Sequence, residues 1–415
     1  MIEENGSWQK NLSRESTKSD GEAVRTGQSM RSVACRFNVT LPTIQRWVKR
    51  AEGFELDAAD WTTHAPVPHK TRRTPAFKED WVIGIRHQLR QYSDLGEFGA
   101  AAIRREWLAQ GLTDPPALRT LGRILERRGA LDGQRRVRRR APLPGWYLPP
   151  LALRHCELDS FDVVEGLVIE GGTEVRVLNG VSLHGGLVAS WPMSKLNTTT
   201  ILEALGEHWR SVGLPRFAQF DNDTLFQGNH QFADSIGRVI RLCLNLQVTP
   251  VFAPPQETGF QAAIESFNGH WQTKVWERFH HNSLADLQAH SLRYIQAHHR
   301  RSAARIQAAP ARVHFPAQWR WDDRAPLNGG TIIYIRRTND HGQVSLLGHR
   351  FDVQPTWTHR LVRCEVNLNT HTIYFFALRR FEPNVQPLLN EVHYEPKQKW
   401  LTTRHPSIDT SLNQT

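Results

Sequence analysis

Hydrophobic positions recur in three textures along this chain, and each predicts a different kind of element. Residues 1–25 show no hydrophobic period and read as a disordered N-terminus. Over 26–52, Val33, Ala34, Phe37 and Val39 form one apolar face, and Ile44, Trp47 and Val48 repeat at helical spacing. Thr40 can cap, and Pro42 can open, the second of two short helices, so a helix-turn-helix is expected there. Residues 53–76 contain A-P-V-P-H-K-T-R-R-T-P and read as a linker. A second helical DNA-binding domain is expected over 77–132. Its apolar stripes are Trp81, Ile85, Leu89, then Phe98, Ile103, Trp107, Leu108, then Leu118, Leu121, Ile124, Leu125. Asp114-Pro115-Pro116 marks a helix entry within it. Residues 133–150 form an Arg/Pro-rich linker, whose Trp146 and Tyr147 are expected to brace it against the next domain.

From 151 to 316 the pattern alternates between periods of two and 3.6. Strands are expected over 155–164, 173–183 and 186–191, joined at Gly171-Gly172 and Gly185-Gly186 as an antiparallel meander. A helix (198–212), strand (216–221), helix (229–246), strand (248–252) and helices at 260–280 and 283–301 come next. That alternation suits parallel crossovers, giving a mixed sheet covered by helices. Residues 325–385 carry five short strand patterns, read as a small C-terminal β-barrel. Residues 386–415 read as a polar tail. The expected whole is a multidomain α/β chain.

Charge sharpens this picture. The 415 residues carry a formal net charge of +11, and the surplus is local: Arg104–Arg140 holds eleven Arg against four acids. A soluble chain this basic meets a polyanion. The candidate DNA contacts are Gln45, Arg46, Lys49 and Arg50 on the first basic helix and Arg119 and Arg123 on the second. Arg135, Arg136, Arg138, Arg139 and Arg140 in the linker would lie on phosphate. Cys35, Cys156, Cys243 and Cys364 form no C-x-x-C pair, which argues against a zinc or disulfide framework. No apolar run approaches a membrane span and the N-terminus lacks a signal-peptide pattern, so a cytoplasmic, nucleoid-associated protein with no membrane partner is expected.

Three acids carry the candidate chemistry: Asp159 in H-C-E-L-D-S-F-D-V-V, Asp221 closing R-F-A-Q-F-D-N-D, and Glu265 in A-A-I-E-S-F-N-G-H-W. Carboxylates delivered by separate elements to one point can hold two divalent ions, with Asp159 bridging. Asp162, three residues after Asp159, falls on the other face of its strand and is expected to point away. Asp223 reads as a turn residue, and Glu257 as a loop residue. Asn222, Gln261 and Asn268 are supporting candidates, Asn268 sharing the helical face of Glu265.

The order β-β-β-α-β-α-β-α with acids at these places resembles the RNase H-like integrase core of the DDE superfamily, as found in retroviral integrases and bacterial insertion-sequence transposases. The matching motifs are E-L-D-S at Asp159, G-L-P-R-F-A-Q-F-D-N at Asp221, and P-P-Q-E-T-G-F-Q-A-A-I-E-S-F-N at Glu265. The resemblance implies Mg²⁺-dependent DNA strand cleavage and strand transfer, with Asp159, Asp221 and Glu265 catalytic and metal-ligating. It also implies two Mg²⁺ ions (or Mn²⁺ in their place), double-stranded DNA partners (element terminal repeats and target) and a homo-multimer on DNA. The chain departs from the family pattern in three ways. Asp223 stands where Gly is usual, and 43 residues separate Asp221 from Glu265. Gln272 replaces the usual cation seven residues after the glutamate, leaving Lys274 as the nearby basic candidate. A catalytically silent DNA-binding relative and a plain RNase H-like nuclease are the rival readings.

Overall fold

The computed structural model describes residues 22–59, 73–131, 133, 143–228, 233–257, 259–322, 325–327, 329–380 and 382–396. The expected polar N-terminus up to residue 21, most of the first linker, the tail beyond 396, and Arg135, Arg136, Arg138, Arg139 and Arg140 lie outside the described residues. The chain divides into two compact units, Met1–Ala76 and Phe77–Thr415.

In the first unit, helices α1 (Met30–Arg36) and α2 (Leu41–Ala51) are joined by a tight turn. Ser29 caps α1 by accepting the Ser32 amide, and Pro42 opens α2, where a missing N–H costs nothing. Asn38 takes the left-handed conformation that reverses the chain between them. Val33, Ala34, Ile44, Trp47 and Ala51 are buried together, which leaves Gln45, Arg46 and Lys49 on the exposed face of α2.

The second unit begins with α3 (Ala76–Tyr92), α4 (Ala100–Ala109) and α5 (Leu118–Arg127), packed around Val82, Ile85, Ile103, Trp107, Leu121, Ile124 and Leu125. Trp81 lies at the rim of this core, edge-on to Trp107, and Val82 takes the buried place.

A mixed sheet comes after these helices. Its strands are β1 (Leu158–Val168), β2 (Glu174–Ser182), β3 (Val188–Met193), β4 (Phe217–Phe220) and β5 (Thr249–Phe252). β1, β2 and β3 form an antiparallel meander, while β4 and β5 run parallel to β1. The crossovers are α6 (Thr198–Val212), closed at its start by a reciprocal Asn197–Thr200 capping box, and α7 (Arg238–Asn245). Two further helices cover the other face: α8 (Ala262–Trp271), which runs on through a π-helical turn at Gln272–Trp276, and α9 (Leu284–Gln307). Apolar clusters fill both faces, one holding Phe161, Trp209, Phe220 and Phe252, the other Val164, Val177, Ile264, Phe267 and Trp271.

The C-terminal strands depart from expectation. β6 (Thr331–Arg337), β9 (Leu361–Asn367), β10 (Thr372–Ala377) and β11 (Leu388–His393) do not close a separate barrel. They extend the sheet past β5, giving the nine-strand order β11-β10-β9-β6-β5-β4-β1-β2-β3, with β7 (Gln343–Leu346) and β8 (His349–Asp352) as a side hairpin. The physical reason is packing: Ile332, Tyr334, Val362, Cys364 and Phe375 bury themselves in the cluster that holds Phe220 and Phe252. The Phe252 and Tyr334 rings stack at 5.1 Å across the β5–β6 join. β11 also takes residues expected in the polar tail, since pairing with β10 satisfies their backbone groups.

Candidate active site

β1 presents two acids to opposite faces of the sheet, and they have different fates. Asp159 is 1% exposed and faces α6. Arg312 donates to both of its carboxylate oxygens, at 3.0 Å to Oδ2 and through a shorter contact to Oδ1. The Trp209 indole donates to Oδ2 at 3.1 Å, and His208 lies 3.8 Å away. Burial and the nearby Arg312 act against a charge on His208, whose pKa falls to about 4 although Asp159 pulls the other way. The imidazole is therefore neutral at pH 7, and Asp159 has one cationic partner, Arg312. The expected bridging role of Asp159 is thus not what the geometry provides. Its oxygens are engaged in a buried pair on the face opposite α8.

Asp162 stands on the α8 face. The parallel register pairs Leu158 with Phe217, Asp159 with Ala218 and Ser160 with Gln219, an offset of 59 residues. Carried along, this offset sets Phe161 beside Phe220, whose rings stack at 5.7 Å, and Asp162 beside Asp221 at the end of β4. Glu265 enters from the first turn of α8, exposed to solvent. Asp162 senses the other two carboxylates. Burial first, then the Asp221 charge and to a smaller degree Glu265, push the Asp162 pKa up to about 6, against the Val163 amide and Asn268, which favour its anion. Asp221 is also shifted upward by burial, with the Asp223 and Glu165 carboxylates adding to it and the Asp223 amide opposing.

Asn268 fixes Asp162 in place. Its Nδ2 donates to Asp162 Oδ2 at 2.7 Å, and its Oδ1 accepts from Asn179 Nδ2 at 2.8 Å. Asn179 faces Asp162 across the β1–β2 ladder, so strand and helix converge on one carboxylate. Asn222 spans the ends of β4 and β5, donating to the Ala253 carbonyl at 2.6 Å and accepting from Gln227 at 2.5 Å. Asp223 is a turn residue: its carboxylate accepts the Leu225 amide at 2.7 Å, and its own amide donates to Asp221 at 3.0 Å. Glu257 pairs with Arg337.

Lys274 lies in the π-helical turn with its ammonium 5.6 Å from the Phe98 ring, against the three-helix module. On α5, Arg127 and Arg128 are held by Glu79 and Asp80 of α3, whereas Arg119 and Arg123 are exposed.

Hard oxygen donors gathered on one face suit a divalent ion: the Asp221 and Glu265 charges raise the proton affinity of Asp162, and a cation would relieve that repulsion. Among the described residues, no three His, Cys, Asp or Glu side chains stand close enough to hold an ion as placed. No described helix is long and apolar enough to cross a membrane.

The acid on β1 expected from sequence, Asp159, is not the one that the register sets beside Asp221, although a signal was present. Ser160-Phe161-Asp162 and Gln219-Phe220-Asp221 repeat the same x-Phe-Asp pattern. Two neighbouring parallel strands that carry the same pattern in register present their acids side by side.

No family model and no curated protein matches the chain. Similar solved structures are retroviral integrases. A simian T-cell lymphotropic virus intasome in complex with the PP2A regulatory subunit B56 gamma aligns over 67% of this chain and 91% of its own, with 13% identity and a TM-score of 0.29. The magnesium-bound catalytic core of HTLV-2 integrase, in its dimeric form, aligns over 39% and 88%, at 15% identity and a TM-score of 0.25. The catalytic core of BIV integrase aligns over 34% and 82%, at 14% and 0.25. Likenesses this weak decide no chemistry, which rests instead on strand order, register and the carboxylate cluster.

Proposed function

We propose that this chain is a metal-dependent DNA integrase or transposase, and that Asp162, Asp221 and Glu265 are its catalytic carboxylates. The observation that carries the reading is the register that sets Asp162 beside Asp221 while α8 brings Glu265 to the same face. These three residues would hold two Mg²⁺ or Mn²⁺ ions. When bound, such ions activate a hydroxyl nucleophile and stabilise the leaving oxygen of a phosphodiester. The remaining residues serve position. Asn268 and Asn179 orient Asp162, Asn222 ties the ends of β4 and β5 together beneath Asp221, and the Arg312 pair anchors the buried end of β1.

DNA would meet the exposed faces of α2 (Gln45, Arg46 and Lys49) and α5 (Arg119 and Arg123), helped by the arginines of the 133–150 linker. Joining two ends in one reaction requires more than one copy on DNA. The test is strand joining with the flanking genomic ends, Mg²⁺ and a target plasmid. Asp162→Asn, Asp221→Asn and Glu265→Gln should each abolish joining while folding normally. Ends bound but never joined by the parent protein would favour a silent core instead.

A further inference from the structure

Beneath the carboxylates lies a cavity of about 480 Å³ bounded by residues 143–147, the β1–β2 surface and the start of α8. Its lining carries polar atoms with no partner among the described residues: Trp146 Nε1, Ser160 Oγ, Gln219 Nε2, Gln261 Nε2 and His298 Nδ1. Trp146, Ser160 and Gln219 are 2%, 2% and 1% exposed. Leaving such donors unmatched is costly, so a built but unsatisfied set points to an occupant. Gln219 is held for this purpose, since its Oε1 accepts the Tyr147 hydroxyl at 3.0 Å and its amide nitrogen is left over.

The placement of these donors is systematic. Ser160 precedes Asp162 by two residues on β1, Gln219 precedes Asp221 by two on β4, and Gln261 precedes Glu265 by four at α8. Each donor therefore shares its acid's face and sits about 6–7 Å below it, one repeat down the strand or one helical turn. Of the five unmatched groups, three are N–H donors, Ser160 is a hydroxyl that can donate, and His298 Nδ1 donates in one of its two tautomers. The occupant must thus be rich in acceptors. One wall is aromatic, Trp146 and Tyr147 each lying 5.4 Å from Phe260 between ring centroids, which suits a planar π-system. Exposed Arg305 and Arg380 also line it, Arg305 donating to the His184 and Leu183 carbonyls.

We infer that this cavity receives a single nucleotide, its base against the aromatic wall and amide donors and its phosphate toward Arg305 and Arg380. Bases carry carbonyl and ring-nitrogen acceptors and stack on aromatic rings. If the occupant comes from DNA, the inference rests on the proposed function and means that one nucleotide leaves the duplex beside the reacting phosphate. A free nucleotide has the same chemistry.

The test is photocrosslinking of the full chain in EDTA, which removes any need for catalysis. Two probes are used: 5-iodo-2′-deoxyuridine monophosphate, and a duplex with a short single-stranded tail carrying 5-iodouracil. Adducts on Trp146, Tyr147 or Phe260 are expected from at least one probe. Ser160→Ala with Gln261→Leu should reduce them about fivefold or more, since two donors are lost, with an unchanged melting temperature as the folding control. Adducts from the monophosphate alone would establish a free-nucleotide site and leave the DNA reading unsupported. Adducts from the tailed duplex alone would establish an extrahelical base. DNA adducts confined to α2 or α5 would keep the DNA reading and overturn the cavity proposal. Adducts indifferent to the double variant, or absent with both probes, would also overturn it, leaving a cavity filled by water.

Discussion

Removing the charge from Asp159 should unfold the protein more readily without touching its chemistry. Asp159→Asn keeps the shape and still offers an oxygen to the Trp209 indole, but strands the Arg312 guanidinium, 11% exposed, without its anion. Breaking one partner of a buried pair costs about 3–5 kcal/mol, because the other charge stays desolvated. Arg312 keeps one bond, to the Gly213 carbonyl at 3.0 Å, which softens the loss, so about 3 kcal/mol is expected. Urea denaturation followed by circular dichroism reads this as a fall in midpoint at constant slope. Replacing both partners, as in Asp159→Asn with Arg312→Leu, should recover part of the loss, since no unpaired charge remains. At a temperature where Asp159→Asn stays folded, Mg²⁺ should still raise its melting temperature. If Asp159→Asn is as stable as the parent yet loses its response to Mg²⁺, Asp159 is the ligand and the assignment to Asp162 is wrong.

Other expectations rest on the same placements. The raised pKa of Asp162, about 6, makes the folded metal-free protein bind a proton more readily than the unfolded chain. Stability without metal should therefore fall as pH rises from about 4 through 6, by roughly 2 kcal/mol, and Asp162→Asn should flatten that slope in pH-dependent melts. Metal binding, which needs the anion, should strengthen over the same window. Arg119→Ala with Arg123→Ala should weaken DNA binding and lower its salt slope by about two, whereas Arg127→Ala should mainly lower stability through loss of the Glu79 pair. Fluorescence anisotropy at several salt concentrations, beside thermal melts, separates the two.

The order of strands and helices in the core was legible because apolar period changes with element type, and most expected ranges lie close to those observed, although the helix expected over 229–246 begins only at Arg238. So was the fact that Asp159 and Asp162 face opposite ways, which strand alternation alone dictates. Which face α8 would cover was not legible, because alternation does not say what packs on each side. Nor could the engagement of Asp159 be foreseen, because its partner, Arg312, comes from a stretch 153 residues away that carries no strong local pattern. The C-terminal strands illustrate the same limit. Their local pattern identifies them as strands, but edge pairing with β5 is a tertiary fact, set by Tyr334 stacking on Phe252. Trp146 and Tyr147 were expected to brace the linker against the core; both are buried there.

The central claim is that Asp162, and not Asp159, completes the carboxylate trio. The most direct measurement is strand joining in Mg²⁺ by the parent, Asp159→Asn and Asp162→Asn proteins, each shown to be folded at the assay temperature. The account predicts joining by the parent and by Asp159→Asn, and none by Asp162→Asn. Joining by Asp162→Asn at the parent's rate, with none from folded Asp159→Asn, would contradict it.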